Sequence, residues 1–198
     1  KARAPQSGAL VTPKRLTPAP DMQPAAEQRR GYVPPPFDTR HLNDYPDVSA
    51  LGLNLVAKWD WREQGKVTRV QDQGNCGACY AFATLGSMEA QSLIRDGTRY
   101  DFSENNLVEC DYEQTGCGGG NIWDTSNRLS SYGSVHESCD PYSPADQVCN
   151  IGCPAVLVAS EVWVLGGDAV PNTDVLKNWL QTYGPLYITM DAGANDAW

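Results

Sequence analysis

The sequence predicts an α+β chain whose two parts face one another. Three observations carry that prediction. Segments with helical spacing of apolar residues come first, between about residues 79 and 131, and Val- and Trp-rich extended segments follow from about residue 156. All seven cysteines lie after residue 75, in an acidic stretch. A basic, proline-rich segment without periodicity precedes them.

The chain has 198 residues, 41% of them hydrophobic and 20% charged. That suits one domain plus a tail and excludes wholesale disorder. Nothing approaches a run of about 18 apolar residues, so no membrane span is expected. The net charge of −9 argues against a general nucleic-acid or anionic-membrane binder, which is more often basic. The charge is unevenly placed. Residues 1–40 hold eight of the 14 prolines and seven basic residues against three acidic ones, while the rest holds eight basic and 21 acidic. Residues 1–55 therefore read as a leader, a linker or a pro-segment able to lie on the acidic body by opposite charge. The body is expected over 56–198, divided into about 56–160 and 161–198. The first residue is Lys1, and no charged start followed by an apolar stretch marks a signal peptide.

Along the body, residues 56–70 read as a loop or short strand anchored by Trp59 and Trp61. Gln71 to Ala78 is polar and glycine-rich, a loop. From Cys79 to about Arg95, Phe82, Leu85, Ala90, Leu93 and Ile94 recur near helical spacing, and Asp96-Gly97 supplies a stop. Ser103 is placed to cap a short helix through about Val108, with Glu104 favourable in its first turn. A third helix is expected from Ile122 to about Ser131. Residues 156–165 read as a strand. Asn172 or Thr173 caps a helix carrying Val175, Leu176, Trp179 and Leu180, which Tyr183-Gly184-Pro185 ends. Residues 186–190 read as another strand.

The odd cysteine count is the first lead to chemistry: six can pair and one is left over. Cys79 sits where a loop becomes a helix, where unsatisfied N–H groups and the macrodipole favour a thiolate. A thiolate is a nucleophile for acyl transfer. The Cys79 N–H and the Gln73 side-chain amide together can stabilise an oxyanion. The same residues admit other readings. Cys76 and Cys79 form a C-x-x-C, but the polar residues before them lack the strand of a redox motif. Cys149 and Cys153 lie close, but no repeated C-x₂-C pair supports zinc. An inert buried thiol, a merely flexible triple glycine and an ordinary loop amide at Gln73 remain possible readings of the residues alone.

The stretch Cys76-Gly77-Ala78-Cys79-Tyr80 matches C-G-[SA]-C-[WY] and resembles the papain/cathepsin family of cysteine peptidases. Gln73 precedes Cys79 by six residues, as that family's oxyanion glutamine precedes its nucleophile. Phe102-Ser103-Glu104 with Leu107-Val108-Glu109-Cys110, Cys117-Gly118-Gly119-Gly120 with Trp123, Pro141-Tyr142 and Tyr183-Gly184-Pro185-Leu186 resemble further family segments in order.

The resemblance implies a helical and a β-rich subdomain with a cleft between them. It implies a secreted, monomeric peptidase acting on peptide or protein substrates without a metal or organic cofactor. Cys79 would be the nucleophile and Gln73 the oxyanion donor. Gly119 and Gly120 would bind substrate backbone, and Ile122 and Thr189 would line a side-chain pocket. The implied disulfides are Cys76–Cys117 and Cys110–Cys149, leaving Cys139 with Cys153, and such bridges imply an oxidising compartment.

The general base is the departure. Only His41 and His136 are present, and neither occupies the family's position, which falls roughly 130–150 residues after the nucleophile and so past Trp198. The expectation is a chain that stops short of its base and is inactive by itself. The alternative is a peptidase-like protein that binds or inhibits without catalysis.

Overall fold

A computed structural model describes residues 33, 35, 54–112, 114–165 and 171–189. Most of the leader, His41 and Met190 lie outside the described residues. Among those described, four α-helices succeed one another: α1 (Cys79–Arg95), α2 (Glu104–Cys110), α3 (Ile122–Ser131) and α4 (Thr173–Tyr183).

Local capping chemistry sets where most of them begin. The Ser103 hydroxyl accepts from Asn106 N at 2.9 Å ahead of α2. The Asn121 side chain accepts from Trp123 N and Asp124 N ahead of α3. Asn172, rather than Thr173, caps α4 by accepting from Asp174 N at 2.8 Å. Each bond satisfies one of the amides that a helix start leaves open. The start of α1 differs, because Ala78 brings no side-chain cap.

The core forms where α1 meets α2 and α3. Tyr80, Ala81, Leu85, Phe102, Leu107, Val108 and Leu129 are buried together. Three disulfides, Cys76–Cys117, Cys110–Cys149 and Cys139–Cys153, staple the loops around it. Closing loops of 41, 39 and 14 residues restricts the unfolded chain, by about 3 to 4 kcal/mol each on a chain-entropy reckoning.

α4 docks on the far end of α1. Trp61 Nε1 donates to Leu180 O at 2.7 Å, and the Gln91 side chain donates to Tyr183 O. Gly184 permits this closeness, since at φ 127° a Cβ there would lie 2.7 Å from Ile94 Cδ1.

The strands depart from expectation. β pairing is described as isolated antiparallel bridges, Phe102 with His136 and Ser134 with Leu157. The segment expected as a strand over 156–165 is paired at Leu157, while Val158, Val162 and Trp163 are exposed. Residues 186–189 carry no strand, and Ile188 is 66% exposed. The physical reason is that an extended segment becomes a strand only against a partner's ladder of N–H and C=O groups. Among the described residues no such ladder lies alongside. No described helix is long and apolar enough to cross a membrane.

Candidate active site

Cys79 opens α1, half-buried, outside all three disulfides. The missing side-chain cap leaves first-turn amides for another acceptor, and the N–H groups of Tyr80 and Cys79 donate toward the sulfur. They favour the thiolate, as the helix start predicts. Burial acts the other way and is the larger effect, so the thiol is pushed up from its ordinary value. The helix start is visible in the sequence; the burial that outweighs it is not. His136, the one histidine among the described residues, is exposed and lies against the Tyr100 ring with centroids 6.0 Å apart.

The first turn of α1 and the loop before it are tied to the glycine segment by three independent links. These are the Cys76–Cys117 disulfide, the Gly77 N to Cys117 O bond at 3.0 Å, and the Tyr80 hydroxyl donating to Gly116 O at 3.1 Å. Cys79 and Gly119-Gly120 thus sit on one braced frame. Gln73 is on the same loop. Its Nε2 donates to Cys76 O at 2.7 Å, which uses one of two amide hydrogens.

The two glycines are used differently. Gly119 O is turned into its own loop, where Thr115 N and Thr115 Oγ1 donate to it at 3.2 and 2.8 Å. Gly120 O accepts at 2.8 Å from the backbone N–H of Val33, in the proline-rich leader. Ile122 is half-buried at the first position of α3. Thr189 is exposed, outside any helix or strand.

Several supporting residues gave no signal in the sequence. The Gln114 side chain clamps the rim by accepting from Asn121 N at 3.0 Å and donating to Asn121 O at 3.1 Å. It fills the space a side chain at Gly120 would need, since a Cβ there would meet Gln114 Oε1 at 2.1 Å and Tyr80 Cδ2 at 2.9 Å. Asp146 Oδ1 accepts from Cys117 N at 2.6 Å. These are side chains from irregular loops, where neither period nor motif marks them. Only the Pro141-Tyr142 turn, noted for its resemblance, offered a handle.

A profile of the papain family of cysteine proteases matches residues 55–198. The chain belongs to the papain family. Among its relatives, the viral cathepsin of Lymantria dispar multicapsid nuclear polyhedrosis virus is 36% identical over 152 residues, 76% of this chain and 41% of that protein. A cathepsin L-like proteinase of Fasciola hepatica is 44% identical over 138 residues, 68% of this chain and 41% of that protein. The structure of digestive procathepsin L 3 of the Tenebrio molitor larval midgut superposes with a TM-score of 0.59 at 27% identity, covering 78% of this chain and 48% of that one. The chain therefore spans about two-fifths of the length of the curated relatives it matches. Membership fixes the fold as a partial papain-like α+β arrangement, in a family described as cysteine proteases.

Proposed function

We propose that residues 56–198 are the nucleophile-bearing part of a peptidase that cleaves peptide bonds through a thioester on Cys79. The observation that carries the reading is the braced frame. It sets the cysteine outside the disulfides, at an uncapped helix start, on one frame with a glycine segment whose Gly120 O accepts a hydrogen bond from the Val33 backbone N–H. In this reading the Cys79 sulfur attacks the scissile carbonyl. The Cys79 N–H and the remaining Gln73 amide hydrogen hold the oxyanion, and the amine leaves with a proton. Water then releases the acid from the thioester.

The raised thiol needs a base or cation beside it, and the resemblance puts that histidine past position 198. Residues 1–198 by themselves are therefore expected to be alkylated slowly and to hydrolyse no peptide. The test is the pH dependence of iodoacetamide labelling, read by mass spectrometry. Labelling should rise on the alkaline side, fall on Cys79, and vanish in Cys79→Ala. Rapid labelling at pH 5, or an undiminished adduct in the variant, rejects the assignment.

The leader, residues 1–55, is read as a pro-segment. The Val33 contact with Gly120 supports this, as does the likeness to a procathepsin. Removing residues 1–55 is expected to speed alkylation of Cys79 by a peptide-based thiol reagent several-fold; equal rates with and without the leader would reject it. Within the peptidase part, about 56–160 forms the helical subdomain and about 161–198 begins the second. By the same resemblance, Ile122 and Thr189 are read as lining a substrate side-chain pocket. Three disulfides fit an oxidising compartment, and a secreted monomer is the reading we favour.

A further inference from the structure

The 139–144 turn has more connections than a surface link between helices requires. Its root is α2. Asp140 accepts from Asn105 Nδ2 and Asn106 Nδ2 at 3.0 Å each, and its backbone O accepts from the Ser103 hydroxyl at 2.5 Å. Ser143 N donates to Asn105 Oδ1 at 3.2 Å, and Tyr142 N donates to Glu137 Oε1 at 2.8 Å. The Cys139–Cys153 disulfide closes its base.

From this root the turn reaches the loop that carries Gln73. The Tyr142 hydroxyl donates to the backbone O of Gln73 at 2.8 Å. The Tyr142 ring packs edge-on against Phe82 of α1, with centroids 4.8 Å apart. Pro144 faces Gly74 so closely that a Cβ on Gly74 would lie 3.1 Å from it. The loop is thus gripped at two successive residues, 73 and 74, from one side.

We propose that Tyr142 is a positioning residue for Gln73. Its O–H fixes the backbone from which the Gln73 amide reaches, with one hydrogen to Cys76 O and the other, in the reaction, to the developing oxyanion. An oxyanion donor is effective only when it is held in place before charge develops, because then no reorganisation is needed at the moment of reaction. A glutamine has three side-chain torsions, so fixing its backbone removes a large part of the search. Burial, with Glu104 and Asp72 nearby, holds the Tyr142 phenol above its ordinary value, so it stays a proton donor across the working range. The inference rests on the reading of Gln73 as oxyanion donor.

The test is Tyr142→Phe, which keeps the ring against Phe82 and removes one hydrogen-bond donor. In residues 1–198, side-chain amide exchange of Gln73 and backbone amide exchange of α2 and α3 are followed by NMR with uniform ¹⁵N labelling. The expected result is exchange about tenfold faster at Gln73, with the amides of α2 and α3 unchanged. In the peptidase carrying this chain and its base, kcat is expected to fall about tenfold with KM within about twofold of the parent. An unmoved Gln73 amide overturns the proposal, and so does equal loosening of α2 and α3, which would mark a merely structural hydroxyl. Gln73→Ala, measured alongside, separates the two claims. Full kcat in that variant removes the oxyanion reading itself. Loss in Gln73→Ala with none in Tyr142→Phe removes only the positioning role.

Discussion

Replacing Gln73 by alanine is expected to lower kcat for peptide hydrolysis by about 10²- to 10³-fold in the peptidase carrying this chain, with KM nearly unchanged. The amide has two hydrogens, and the structure commits one of them to Cys76 O. In the proposed reading the other hydrogen, together with the Cys79 N–H, holds the oxyanion. An interaction made only as the carbonyl oxygen gains charge stabilises the transition state and leaves substrate binding alone. Alkylation by iodoacetamide supplies the control, because displacement at a saturated carbon forms no oxyanion. The alkylation rate of Cys79 should therefore be the same in the parent and in Gln73→Ala. If both reactions slow equally, Gln73 is a prop for the loop and not an electrostatic donor. If neither slows, it is an ordinary loop amide.

What the sequence made legible follows from the range of the forces involved. The starts of α2 and α4 were readable because Ser103 and Asn172 act on amides within three residues of themselves, and the Asn121 cap of α3, equally local, emerged only in the structure. The start of α1 at Cys79 was readable from the change from polar and glycine-rich to small and apolar. The strands were not, since Val156 to Leu165 has the composition of a strand but pairs at one residue. Pairing depends on what lies alongside, which no local window contains. The site shows the same division. Cys79 at a helix start and Gln73 six residues earlier are linear facts. The burial that outweighs the helix start at Cys79 is a property of packing. So are the Gln114 clamp on Asn121 and the Tyr142 grip on Gln73, which join residues 7 and 69 positions apart through loops without period.

Glu104 gives the largest expected effect on stability, and it favours acid. At the first position of α2 its carboxylate accepts its own backbone N–H and gains from the helix start, both of which favour the charged form. Burial outweighs them: the residue is 3% exposed, and Oε2 is buried without a hydrogen-bond partner. The neighbours act in the same direction as burial. Glu137, Glu89 from α1 and Asp101 all act on it with like charge, while Arg69, which acts on Glu89 and Glu137, pairs with Asp101 at 3.7 Å. The carboxyl is pushed up to about 8, from 4.5 in an unconstrained chain. Glu89 and Glu137 are also raised, mainly by burial.

The folded chain therefore binds this proton more tightly than the unfolded chain. The stabilisation is complete below pH 4.5 and is lost progressively as pH rises toward about 8. Each tenfold difference in proton affinity between the folded and unfolded chain is worth about 1.4 kcal/mol, so the loss is on the order of 3–5 kcal/mol, comparable to one disulfide. Glu104→Gln keeps the shape and cannot ionise. Urea unfolding at pH 4, 6 and 8 should give nearly equal stability for the two proteins at pH 4. A widening advantage for Glu104→Gln is expected toward pH 8, where the parent must either bury a charge among three like ones or open α2 to water. Parallel pH profiles for the two proteins would mean that this carboxyl is solvated in the folded chain and that acid stability has another source.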